Sequence, residues 1–240
     1  MIDTKDQVRI RNLTKDFWIN EANSKSFRSI FVGKEIGHRI ADYVDEKTTE
    51  LLTSELDTGF LLSKKGKKLD RSMGDIWIKS RGMFNPLNVK AGEYSEKGGQ
   101  PNLVALNKLL KSLLLRQIDS YYLLIIKMER IAEPKDKAFE VIPRVYLVDM
   151  LDHLDVVNFN SGPGQLMLKE KFFYEKMHSD KKIDIITLRE KISKLLSLKK
   201  EGDLQLMKDR KQMSEQLSIM ASNYEKLVDK KIDQKDLNIG

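Results

Sequence analysis

Asp75, Asn88 and Lys90 are the residues of this chain whose types and spacing could do chemistry. They flank a turn in the stretch GDIWIKSRGMFNPLNVKAG, which begins at Gly74. Ile76, Trp77 and Ile78 make a short β-prone run; Gly82, Asn85 and Pro86 supply turn chemistry; Leu87–Lys90 resumes as a second strand. Asn88 and Lys90 are two apart, so they share one face of that strand while Val89 takes the other. Asp75, at the mouth of the first strand, can then approach both across the ribbon. An acid, a second oxygen donor and an amine gathered in this way can hold a hard divalent cation beside a water and a phosphate. That is the chemistry of metal-assisted phosphodiester hydrolysis. The same residue types also serve as the solvated tips of ordinary hairpins, so the surroundings decide.

The surroundings are basic. The chain has 240 residues and a formal net charge of +7, with a pI near 9.3. Between residues 60 and 120 stand 12 Lys/Arg against 5 Asp/Glu, a surplus equal to that of the whole chain. Lys64, Lys65, Lys67, Lys68 and Arg71 precede the hairpin, and Lys97, Lys108 and Lys111 follow it. Such a surplus suits a polyanion, because neutralising phosphates releases counterions; a lysine-rich solvated surface is the plain alternative. There are no cysteines, which excludes disulfides and Cys-ligated zinc or iron–sulfur sites, and the three histidines are scattered. No run has the length of a membrane span and the N-terminal stretch has no apolar signal core, so a reducing cytoplasm is the expected setting.

The elements that must position these residues follow from periodicity. Residues 25–56 read as helix, with Ile36, Ile40, Tyr43/Val44 and Leu51 at helical spacing. After the hairpin and the loop GEYSEKGGQPN, Asn102 is placed to cap a helix over about 103–117 that carries Leu106, Leu109, Leu110, Leu113 and Leu114 on one side. Tyr121–Met128 is a continuous apolar run, as in a strand buried on both faces. Strand–strand–helix–strand implies a crossover that lays this last strand beside the hairpin strand. Pro143–Val148 and Leu166–Leu168 are further strand candidates, the latter after a loop from Asn158 to Gly164. Gln165, Met167 and Lys169 should share one face of that strand. From Asp180 the chain reads as two helices, about 184–199 and 203–231. Met213, Leu217, Met220, Tyr224 and Leu227 make a coiled-coil-like stripe in the second, most simply a core-facing one, and the tail beyond Asp233 is expected to fray. The fold class is therefore mixed α/β: a central mixed sheet flanked by helices, with a core over 1–180 and a C-terminal helical extension over 181–240 packed on it as one structural unit.

The segment Gly74–Met128 resembles the catalytic core of type II restriction endonucleases of the PD-(D/E)xK nuclease superfamily, nearest the HincII-like blunt-cutting group. Three blocks carry the likeness: GDI followed, thirteen residues after Asp75, by NVK; GGQPN leading into a helix and an apolar strand; and GPGQLMLK at 162–169 before the C-terminal helices. Together they cover about 60% of the chain in the family's order. The resemblance implies a restriction-endonuclease-like sheet, with Asp75 as the metal-binding aspartate, Lys90 as the catalytic lysine and Glu35 as the helix glutamate that makes an outer metal contact. It implies that Lys97, Gln100, Asn102, Asn160, Ser161, Gln165 and Lys169 meet DNA, the Asn and Gln side chains suiting adenine edges. It also implies Mg²⁺ (with Mn²⁺ as a substitute), a palindromic double-stranded site cut by a homodimer to leave 5′-phosphates and blunt ends, and a cognate DNA methyltransferase. The sequence departs from the family at Asn88, where an acid is normal. Asparagine keeps a carbonyl oxygen but loses the charge, so a cation is held less tightly by Asp75 and Asn88. The competing reading is a non-catalytic DNA-binding or helical scaffold protein, and a third is a repair nuclease without sequence preference.

Overall fold

A strand that is apolar on both faces needs cover on both, and eight consecutive buried residues, Tyr121–Met128, impose that requirement here. The computed structural model describes residues 1–30, 36–56, 58–59, 73–80, 83–132, 139–179 and 186–236. Along the chain, helices α1 (Thr4–Glu21), α2 (Lys25–Ile30) and α3 (Ile36–Glu55) precede strands β1 (Thr58–Gly59), β2 (Ile76–Ser80) and β3 (Met83–Glu93). Strand β4 (Asn102–Ala105) and helix α4 (Leu106–Leu114) lead to β5 (Tyr122–Ala132) and β6 (Phe139–Asp149). Then follow β7 (Val157–Asn160), β8 (Gln165–Leu168), α5 (Glu170–Met177) and α6 (Leu188–Asp236).

The main sheet is mixed and runs β1-β2-β3-β5-β6. The expected crossover is present: β3 and β5 pair in parallel, Asn88 beside Leu123 and Lys90 beside Ile125, and every other pair is antiparallel. One face carries Ile76, Ile78, Leu87, Val89, Tyr122, Leu124 and Ile126 against α1 and α3. Helix α1 is capped by Asp3, whose carboxylate accepts from Lys5 N, and buries Ile10, Thr14 and Trp18 at four-residue steps. The Trp18 indole N–H donates to Thr48 Oγ1 of α3 at 2.9 Å, so the two helices are locked as well as packed. The opposite face carries Trp77, Leu123 and Ile125 and is covered by α4, α5 and a three-stranded sheet, β4-β8-β7.

Several expectations are corrected. Asn85 and Pro86 lie inside β3, paired with Ile78 and Trp77, not in the turn. Pro86 has no N–H to give to the ladder, so its neighbours hold the register. Asn102 is no helix cap: it pairs with Met167 in β4, and α4 begins at Leu106 without a side-chain cap. Its pairing partner stands 65 residues further along the chain, beyond the reach of local pattern. Asn158–Asn160 form β7, so the supposed loop is the arm and turn of a β7–β8 hairpin. Two C-terminal helices are one: α6 runs unbroken through Gly202, which stays helical because its missing Cβ lets Phe159 of β7 pack within 2.6 Å of that position. The helix continues past Asp233 to Asp236. Its stripe does not face the core either; Met213, Leu217, Met220 and Tyr224 are 58–69% exposed. Helix α1 was not anticipated.

A buried charge cluster fastens α6 to the body. Lys191 Nζ meets Asp152 Oδ1 at 2.6 Å and Asp149 Oδ2 at 3.5 Å, and Asp149 Oδ1 accepts from Tyr121 N and Leu151 N. Burial raises the Asp149 carboxyl from 3.8 to about 6 despite Lys191. Next to it His153, against Phe173, is driven from 6.5 to about 4 by burial and then by Lys176. The two act oppositely on stability. Between pH 6.5 and 4 the unfolded chain takes up a proton that folded His153 refuses, so stability falls with acid by roughly 1.4 kcal/mol per pH unit from this group. Folded Asp149 binds its proton first, so that group adds stability as pH falls from 6 to 3.8. A His153→Gln variant removes only the first effect. Its melting temperature, relative to the unmodified chain, should rise as pH is lowered from 6.5 towards 4; a pH-independent difference would contradict this cause.

Candidate active site

The β2–β3 ribbon brings Asp75 to β3 as its sequence position suggested. Asp75 N donates to Leu87 O at 2.9 Å, and one carboxylate oxygen, Oδ2, accepts from Val89 N at 2.7 Å. The aspartate is thus clamped across the strand between Leu87 and Val89, directly over the position of Asn88. This charge-assisted bond fixes the carboxylate and commits one of its oxygens. The other is the one available to a ligand.

Asn88 is 7% exposed, on the face opposite Val89. Its amide N–H donates to Leu103 O at 3.3 Å, while Oδ1 is buried with no hydrogen-bond partner among the described residues. A buried polar atom without a partner costs about 1–3 kcal/mol, so this oxygen is a candidate ligand atom. Trp77, on the same face of the neighbouring strand, also buries its indole N–H without an acceptor. Tyr121 completes the group. Its hydroxyl donates to Leu103 O at 3.2 Å, and burial, then the negative charge of nearby Asp75, push its pKa far up, while a hydrogen bond with Asn88 acts the other way. It therefore stays protonated and remains a donor. Sequence reading missed Tyr121; the signal was a phenol opening an otherwise apolar strand.

Lys90 lies two residues on from Asn88, half-buried, and among the described residues it has no ion-pair partner. The trio therefore shares one sheet face, with an anchored acid, an under-satisfied amide and an unpaired ammonium. Glu35, the expected helix glutamate, lies outside the described residues, as do Lys64, Lys65, Lys67, Lys68 and Arg71. Among the described residues no group of three or more His, Asp or Glu side chains is gathered to hold a metal ion.

The expected DNA-contacting residues fall in two places. Lys97, Gln100 and Lys169 line one cavity of about 400 Å³, with Lys171 and Phe172 beside them. The loop reaches this position because Glu170 N donates to Gly99 O, Leu168 N donates to Pro101 O, and Glu170 Oε2 accepts from Gly99 N at 2.8 Å. Gly98 is needed there: its φ is +64°, and a Cβ would stand 2.5 Å from Lys171 N. Gln100 Oε1 accepts from Asn158 Nδ2 at 3.5 Å, which ties the loop to β7. Beneath the loop lies a pair that sequence reading did not single out, Lys127 Nζ with Glu170 Oε1 at 2.6 Å, both under 10% exposed. A lysine inside the apolar run 121–128 was its only trace.

Asn160, Ser161 and Gln165 sit together at the β7–β8 turn, where Asn160 pairs with Gln165. Asn160 Oδ1 accepts from Gly162 N at 3.2 Å, a turn-forming role, while Gln165 Oε1 is buried and unpartnered. Asn102 is exposed on β4, beside Met167. No protein-family model matches the chain, and no curated protein shows significant similarity to it.

The Lys127–Glu170 pair gives a direct test of how the loop is held. Glu170→Gln leaves a buried ammonium without its counter-charge and should cost about 3 kcal/mol. Urea unfolding should show it as a lower midpoint at unchanged slope; a midpoint shift equivalent to under about 0.5 kcal/mol would mean the pair is not buried as described.

Proposed function

We propose that this chain is a double-stranded DNA endonuclease of the type II restriction class, cleaving phosphodiester bonds with Mg²⁺. The observation that carries the reading is that Asp75, bonded to Val89 N, stands across the ribbon from Asn88, whose oxygen is buried and among the described residues unpartnered, with Lys90 two residues on along the same strand. The donor set fits a hard cation of low protein coordination: one carboxylate oxygen and one amide oxygen, which suits an ion that keeps water and phosphate oxygens as its other ligands. Asp75 and Asn88 would hold it, and when bound it would supply charge to the phosphate and acidify a water.

The chain's own residues do the rest. Asp75, pinned by Val89 N, offers a carboxylate that needs no reorganisation. The Lys90 ammonium stabilises negative charge as it grows on the phosphate. Tyr121 holds Asn88 and the Leu103 carbonyl in place, so it positions and does not react. Lys97, Lys169 and Lys171 would neutralise flanking phosphates, and the β7–β8 turn with Gln165 would read base edges. Cutting both strands of a palindrome requires two copies, and methylation by a partner enzyme would protect host DNA; both belong to the proposal. Among the described residues no helix is long and apolar enough to cross a membrane.

One observation favours a second reading, DNA binding without cleavage: Asp75 is the single carboxylate of the trio, and no cluster of acids gathers around it among the described residues. Supercoiled plasmid incubated with Mg²⁺ or Mn²⁺ separates the two. Discrete fragments are expected, faster by at least tenfold from Asn88→Asp, with Lys90→Ala slower by about 100-fold. Retained DNA binding with no cleavage by either the unmodified chain or Asn88→Asp would establish the binder instead. A smear would remove sequence specificity from the proposal.

A further inference from the structure

The outer half of α6 has no reason to be helical on its own. From Met207 to Tyr224 every residue is exposed, so no described part of the body covers this stretch. An isolated helix is marginal in water, and most helical stability comes from packing an apolar face. Surface ion pairs do not substitute: the Lys211–Glu215 contact is 4.0 Å long and well exposed. Residues 216–224, QLSIMASNY, carry no charge at all in a chain that is 33% charged. Meanwhile Met213, Leu217, Met220 and Tyr224 stand out at steps of four, three and four, 58–69% exposed, and Leu206 before them and Leu227 after them continue the seam in sequence. This is the 3.5-residue repeat of a two-stranded coiled coil.

We propose that this seam pairs with the same seam of a second copy, antiparallel. Charge selects both the occupant and the direction. The seam also holds Arg210 and Lys231, at the positions equivalent to Leu217 and Tyr224. A parallel pair stacks Arg210 on Arg210 and Lys231 on Lys231, which repels. Running antiparallel with Leu217 opposite Met220 of the second copy, Met213 meets Tyr224, and the register positions of Arg210 and Lys231 fall opposite those of Leu227 and Leu206. The flanking positions then place Asp209 opposite Lys230 and Gln216 opposite Asn223, with no like charges facing. The seam from Leu206 to Lys231 is about 38 Å long, and the two points where α6 leaves the body at Gly202 end about 50 Å apart along the rod. The inference uses none of the residues of the nuclease reading and stands without it.

The full-length chain should elute with a light-scattering mass about twice its 27.8 kDa. Met220→Glu should weaken the dimer at least tenfold while leaving the melting temperature and the circular dichroism of the body in place; Glu215→Lys, on the opposite face of the helix, should leave the dimer intact. Because the chain has no cysteine, direction is read by disulfides. Mixed Leu217→Cys and Met220→Cys proteins should cross-link to each other under oxidation, each far less to itself. A monomeric unmodified chain, including one whose helix binds DNA instead, overturns the proposal, as does a dimer indifferent to Met220→Glu. Self-linking of Leu217→Cys alone overturns the antiparallel arrangement.

Discussion

Strand β3 sets the terms for everything around it. It is the third of five strands, covered on both faces, so its side chains from Asn85 to Val89 are taken from water whatever their chemistry. Leu87 and Val89 meet that condition by joining the core under α1 and α3. Asn88, on the other face, meets it only in part: its N–H finds Leu103 O and its carbonyl oxygen finds nothing. A polar side chain held at a central strand in that state is a cost to folding, and sites of function are where such costs persist. The carboxylate of Asp75, bonded to the backbone on the far side of Asn88, gives the position an electrostatic purpose.

The parallel β3–β5 pairing extends this arrangement outward. It sets Tyr121 just before β5, one residue ahead of the Leu87–Tyr122 pair, and so brings a phenol to the site. Six residues further along the chain comes Lys127, whose ion pair with Glu170 carries the 97–100 loop and the start of α5 on the same face. One strand thereby positions a candidate reaction centre and a basic surface within one framework. Tethering both to core strands, not to free loops, is what preorganised chemistry on a phosphate requires.

Local pattern in the sequence was enough for β2, β3, β5 and β6 of the main sheet and for the crossover, though not for the short β1, because alternation and apolar run length are properties of a few adjacent residues. The second sheet was not legible in the same way. β4 pairs with β8 more than sixty residues later, and Asn102 before Leu103 looks like a helix cap until that partner is known. The break expected at Gly202 failed because a glycine chosen for close approach to Phe159 is indistinguishable, in sequence, from one that ends a helix. The stripe of α6 was legible but its destination was not, since a 4-3-4 pattern fits a core and a partner equally well. Likewise the trio at 75, 88 and 90 could be named from spacing, whereas the orphaned oxygen of Asn88 and the hydroxyl of Tyr121 arise only in three dimensions.

The central claim is that Asp75 and Asn88 together form a cation site on the face of β3. A crystal soaked in MnCl₂ and measured at the manganese absorption edge tests it most directly. The account predicts an anomalous peak within coordination distance of Asp75 and Asn88 Oδ1, stronger in Asn88→Asp crystals. A metal-free site, with an ordered water joining Asn88 Oδ1 to the Trp77 indole N–H in both proteins, would contradict it.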